Sequence, residues 1–250
     1  MRRNRRWAAD MVLIRSILMN IFFFSWLLIL LLFLWVPVIF GRPAVRETLR
    51  WWSRTARAGL HVFGGIRAEF RGLENLPKGP ALIVSKHQSI WDTFIFYLLL
   101  DDPQYVLKQE LSDLPVWGFY AMRSGHIAVD RTAGAKALRG MAEDAAARLA
   151  AGRQVIIFPE GTRMPPGESR RYHPGVAALY AALPEGVPAV PVALNSGTYW
   201  GRRKFFIKPG TIVLSILEPI PPGLDRKKFM ALLEERIETE THRLEAAVDG

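Results

Sequence analysis

Between Arg15 and Arg42 this chain carries no charged side chain, and that gap limits the surroundings in which the rest can fold. The segment from Ser16 to Gly41 is apolar almost throughout. As a helix it would run about 39 Å at 1.5 Å per residue, enough to cross a hydrocarbon core. A cleaved leader is disfavoured, because the stretch is too long and no small-x-small site follows it. Arg2, Arg3, Arg5 and Arg6 precede it, a basic start that predicts a cytoplasmic amino terminus and attraction to anionic lipid. Pro37 falls near its end, and Arg42-Pro43 breaks it. From Ala44 to Phe63, apolar residues recur at spacings of three and four (Val45, Leu49, Trp52, Ala56, Leu60, Phe63), with Arg46, Arg50, Arg54 and Arg57 mostly between them. This spacing predicts a cationic amphipathic helix, either interfacial or packed on a globular domain. Residues 1–65 thus read as a membrane-anchoring helical hairpin lying in or across the bilayer, and 66–250 as the globular domain.

Beyond Gly64-Gly65 short apolar runs alternate with helical patterns. Strands are expected at Ala81–Ser85, Tyr105–Lys108, His126–Val129, Gln154–Phe158, Ala189–Leu194 and Thr211–Leu217. Helices are expected at Ser89–Leu100, Pro115–Met122, Ala133–Ala151, Val176–Leu183 and Asp225–Ala247. Several strands are continuous Val/Ile/Leu runs, the signature of strands covered on both faces. The expected fold is therefore α/β, a mostly parallel central sheet flanked by helices, preceded by the helical hairpin. Ligands of such sheets gather beyond the carboxyl ends of the strands. His87 and Glu160 each fall just past one, so they are expected to share a cleft.

Cysteine is absent, which excludes disulfides, thiolate metal sites and a covalent Cys intermediate. Lys and Arg outnumber Asp and Glu by 33 to 23, a net charge of +10, so an anionic partner is expected. The charge is concentrated beside the apolar segment and in two motif loops, not along one recognition helix. That distribution argues against nucleic acid and for anionic membrane lipid or a phosphorylated small molecule.

The first motif is His87-Gln88-Ser89-Ile90-Trp91-Asp92. It places an imidazole at a strand's end and a carboxylate in the first turn that follows, a base and its orienting partner. Ser89-x-x-Asp92 also reads as a helix capping box, which accounts for those two residues without catalysis. It leaves His87 unexplained, set in polar surroundings between Lys86 and Gln88. The second motif, Phe158-Pro159-Glu160-Gly161-Thr162-Arg163, reads as an anion-binding turn: the glycine lets backbone approach and Arg163 supplies a forked donor. The plainer alternative is a strand-ending turn with a solvated Arg. A serine hydrolase is disfavoured for want of a Gly-x-Ser-x-Gly elbow. His61 and His242 read as solvated, His126 opens a strand, and His173 lies in a loop where a substrate contact is possible. Trp91 reads as packing.

Four ordered blocks resemble the glycerolipid acyltransferases, in a resemblance that covers roughly Gly72 to Leu217. They are His87 to Asp92; Lys108-Gln109-Glu110-Leu111 with Pro115, Gly118 and Gly125 through Asp130-Arg131; Phe158 to Arg163; and Val190-Pro191-Val192-Ala193-Leu194-Asn195. One departure is that the basic pair usual before the glycine at Gly175 is replaced by His173-Pro174, with Arg170 and Arg171 nearby to supply the charge. The resemblance implies that His87 is a general base on the hydroxyl of lysophosphatidic acid and that Asp92 orients it. It further implies that Glu160, Gly161, Thr162 and Arg163, with Lys108 and Arg131, hold the acceptor's phosphate end. The acyl donor would be acyl-CoA or acyl carrier protein, as substrate, with no cofactor and no metal, and the product phosphatidic acid. The place of work would be the cytoplasmic face of the inner membrane. Another lysolipid acceptor, or a membrane lipid-binding protein without turnover, is the alternative.

Overall fold

The computed structural model describes residues 2–130 and 134–248, the side chains of residues 2–9 excepted. Three helices come first: α1 (Arg2–Phe33), the short α2 (Trp35–Ile39) and α3 (Arg42–Val62). Gly41 reverses the chain with φ of 87°, a left-handed conformation that suits glycine, and Pro43 sits in the first turn of α3 where no amide is missed. The reversal makes α1 and α3 antiparallel. Phe22 meets Phe63 (ring centroids 5.1 Å apart) while Trp26 meets Trp51 (5.4 Å) and donates from Nε1 to Thr55 Oγ1 at 2.7 Å. Gly59 permits the close approach, since a Cβ there would stand 1.9 Å from the Phe22 ring. Asp10–Ile39 is the one helical stretch among the described residues long and apolar enough to cross a membrane, with mean hydropathy 2.7.

The domain is built on a seven-stranded sheet: β1 (Ile66–Arg71), β2 (Ala81–Ser85), β3 (Pro103–Lys108), β4 (Ile127–Val129), β5 (Gln154–Ile157), β6 (Ala189–Leu194) and β7 (Gly210–Ile216). Its order is β1-β7-β6-β2-β5-β3-β4, parallel at every pairing except β6 with β7. The expected α/β fold is the observed one. Between and after the strands lie α4 (Phe96–Leu99), α5 (Gln109–Ser112), α6 (Trp117–Arg123), α7 (Gly134–Ala150), α8 (Pro174–Ala181), α9 (Ser196–Trp200) and α10 (Arg226–Ala246). Alternation along the strands divides the core. Ile83 and Ile156 face Phe23, Trp52 and Phe94, whereas Leu82, Val84 and Val155 face α7, α8 and α10 through Met141, Val176 and Phe229. One face of the sheet thus carries the amino-terminal helices.

Two expectations are corrected. β1 was not anticipated, because Arg67, Glu69 and Arg71 alternate with Ile66, Ala68 and Phe70 on an edge strand whose outer face is exposed. A helix over Ser89–Leu100 does not form: a 3₁₀ turn spans Trp91–Thr93 and only α4 is helical. Trp91, Asp92 and residues 94–97 are all buried, so this segment has no solvent-facing stripe of the kind an amphipathic helix needs.

Candidate active site

β2 and β5 are adjacent, with Val84 opposite Ile157, so the segments leaving their carboxyl ends run side by side. The Met164 amide donates to the His87 carbonyl at 2.8 Å and ties the two together. The His87 ring stacks on the Phe158 ring, centroids 4.0 Å apart at 16°. Its Nδ1 lies 3.0 Å from Asp92 Oδ2. That same oxygen accepts from the amides of Gln88 (2.7 Å) and Ser89 (2.8 Å), and Oδ1 accepts from Ser196 Oγ at 2.7 Å. A fully buried carboxylate is tolerable only with such compensation. Asp92 therefore closes the turn and holds the ring at once, so the two readings of Ser89-x-x-Asp92 coexist. With Nδ1–H donating to the carboxylate, Nε2 is the nitrogen left for a proton.

His87 and Arg163 stand on the wall of one cavity of about 430 Å³. The rest of that wall is largely apolar and comes from both halves of the chain, including Phe23 and Leu30 of α1, Leu49 and Trp52 of α3, and Phe94 and Leu107. The expectation that His87 sits in polar surroundings is corrected here. Lys86 and Gln88 are wholly buried and point away from the ring, Gln88 Nε2 donating to Glu245 Oε1 at 2.6 Å.

Glu160 does not reach this cavity. Its carboxylate is buried against Lys86 Nζ, 2.6 Å from Oε1, and the same ammonium contacts Glu238 Oε2 at 2.8 Å. Burial outweighs the attraction of Lys86 and, with Glu238 close by, raises Glu160 to about 7. The predicted contact between this side chain and a substrate anion is corrected: two carboxylates share one cation, and Glu160 anchors the turn from beneath. Gly161 takes a left-handed φ of 67° that makes the turn possible. Thr162 Oγ1 accepts from Arg202 Nη1 at 3.1 Å. Arg163 is half-buried, and burial plus the nearby charges of Arg202 and Arg203 hold its pKa below the ordinary guanidinium value. An anion would relieve that crowding of cations. Lys108 is exposed at the end of β3 and is not on the cavity wall. Arg131 lies outside the described residues.

Sequence reasoning missed Lys86, Ser196, Arg202 and Arg203. The basic run Arg202-Arg203-Lys204 immediately after a glycine was a signal for the last two. Ser196 had none, since its partner Asp92 is 104 positions away.

A histidine–carboxylate pair and a guanidinium beyond adjacent parallel strands suit a group-transfer enzyme, and the chain belongs to the acyltransferase family, whose model matches residues 67–195. Over 202 residues it is 37% identical to the 1-acyl-sn-glycerol-3-phosphate acyltransferase of Pseudomonas aeruginosa, covering 81% of this chain and 78% of that one. It is 32% identical over 176 residues to the 1-acyl-sn-glycerol-3-phosphate acyltransferase beta of Homo sapiens, covering 69% of this chain and 63% of the human one. The crystal structure of the 1-acyl-sn-glycerophosphate (LPA) acyltransferase PlsC from Thermotoga maritima aligns with a TM-score of 0.75 over 93% of this chain and 97% of that one. At 22% identity that likeness speaks for the fold.

Proposed function

We infer that this chain transfers a fatty acyl group from an acyl thioester to the sn-2 hydroxyl of 1-acyl-sn-glycerol-3-phosphate, making phosphatidic acid. The observation that carries the reading is the placing of His87, backed by Asp92, and Arg163 on the wall of one largely apolar cavity. His87 Nε2 takes the proton as the acceptor's hydroxyl oxygen attacks the thioester carbonyl. Asp92 stabilises the imidazolium that results. Collapse of the tetrahedral species breaks the carbon–sulfur bond, and the departing thiolate takes the proton back from His87. Arg163, with Arg202 and Arg203 adding charge, binds the acceptor's phosphate, while the apolar wall receives hydrocarbon. Lys108, exposed at the end of β3, is left out of this binding role. The donor is acyl-CoA or acyl carrier protein.

The membrane supplies the rest of the site. α1 lays Met19, Phe23 and Leu30 on the domain, joined by Leu34 just beyond its end, and turns Ile21, Phe24, Leu28 and Leu32 outward. A helix packed along a globular domain for this length is suited to lying in one leaflet rather than passing through both. Residues 1–65 therefore seat the domain in the membrane surface, and the basic leader favours the cytoplasmic face. Burying hydrocarbon is worth about 0.8 kcal/mol per methylene, so a lysolipid received from the bilayer need not be lifted into water.

The test is turnover by the purified protein in detergent, given lysophosphatidic acid with each donor. Wild type is expected to form product, and His87→Ala and Asp92→Asn to lose at least about a hundredfold, the size of a well-placed base. Normal turnover by His87→Ala would refute the assignment.

A further inference from the structure

The cavity wall is mostly hydrocarbon and aromatic ring, and of its hydroxyls those of Thr93 and Ser124 bond to backbone carbonyls while two others have nothing to bond. Ser53 Oγ, on α3, and Tyr105 Oη, on β3, are buried without a hydrogen-bond partner among the described residues, and both residues line the cavity. Tyr97 is a third hydroxyl-bearing residue of the same wall. The Tyr105 amide donates to His126 Nδ1 at 3.2 Å, so the proton of the neutral ring resides on Nε2, which donates to Tyr97 Oη at 3.1 Å. Burial, with Arg42 and Arg148 adding to it, pushes His126 down to about 3 and keeps that ring neutral. Tyr97 is thereby an acceptor, and its own O–H hydrogen has no acceptor among the described residues. The Tyr97 and Tyr105 rings are 5.8 Å apart. Arg50 Nε donates to the Tyr97 carbonyl at 3.2 Å, which brings the turn of α3 carrying Ser53 against the same residue.

Buried hydroxyls are normally paired, and those that are not point to a missing partner. An unsubstituted polymethylene chain gives these three nothing. Resting on the acyl-transfer reading above, we propose that Ser53, Tyr97 and Tyr105 form a subsite for an acyl chain that carries a hydroxyl group partway along its length. Such a hydroxyl accepts from one phenol and donates to another oxygen, so both sides of the contact are satisfied. The substituted chain can arrive on the donor thioester or on the lysolipid, and the geometry serves either.

The full-length enzyme in detergent is given thioesters of one chain length, unsubstituted or hydroxylated at successive carbons, on CoA and on carrier protein. A second arm moves the hydroxyl to the chain of lysophosphatidic acid and keeps the donor plain. For one hydroxyl position in one arm, kcat/KM is expected to exceed that of the unsubstituted chain about three- to tenfold, the worth of one net hydrogen bond. That preference should fall to near unity in the triple variant Ser53→Ala, Tyr97→Phe, Tyr105→Phe, which deletes three oxygen atoms and leaves the shape of the wall. A flat profile in both arms, or a preference that survives the triple variant, overturns the subsite, and turnover of plain chains leaves His87 in its role. No turnover with any chain overturns the acyl-transfer reading and takes the subsite with it.

Discussion

Lys86 carries the clearest consequence at the scale of single residues. It immediately precedes His87 and is held from below by Glu160 and Glu238, so the two motif turns share one buried cation. Glu160 ordinarily ionises near 4.5, and in the fold near 7. Between those values the folded state holds a proton that the unfolded chain has lost, so stability falls as pH rises through that interval, and the loss is complete above it. Glu160→Gln has no such proton. The melting temperature of wild type relative to this variant is therefore expected to drop from about pH 5 to about pH 7.5, as thermal unfolding would record. Parallel curves would remove Glu160 from this account. His87, Asp92 and Arg163 were legible in the sequence because each belongs to a short motif at a strand's end. Lys86 was not, since a lysine beside a histidine looks solvated until Glu238, 152 positions on, is brought beneath it.

At the scale of elements, the fully buried strands β2, β5 and β6 were readable as continuous apolar runs, while β1 alternates charged and apolar residues at an edge and was passed over. The segment after His87 misled for a different reason. Its Ser89-x-x-Asp92 spacing looks like the start of a helix, but Asp92 draws the Gln88 and Ser89 amides into a tight turn and tertiary burial takes both faces. The α1 helix was legible as apolar, yet only the fold reveals that it has two faces with different partners. Phe24, Leu28 and Leu32 lie on the outer one, each more than half exposed. Replacing all three with Glu is expected to abolish flotation with vesicles while leaving the detergent-solubilised melting temperature nearly unchanged. Each of these side chains is worth about 1.5–3 kcal/mol when buried, so their loss outweighs a tenfold change in partitioning many times over. Undiminished flotation would mean that α1 does not seat the protein.

For the whole molecule, the net charge of +10 adds an ion-sensitive attraction to the apolar one. Binding to vesicles rich in anionic lipid is expected to weaken several-fold between about 0.05 and 0.5 M salt, as the screening length shrinks, whereas binding to neutral vesicles holds. Co-sedimentation across that range separates the two contributions. β2 and β5, which touch at the site, are separated in the chain by β3, β4 and α7, and the cavity also borrows its wall from α1 and α3. Contacts so distant along the chain are slow to close. A nascent or partly unravelled copy can accordingly close the local turn from His87 to Asp92 and still lack the apolar chamber, with Arg163 on its wall, that a lipid chain would need beside that ring.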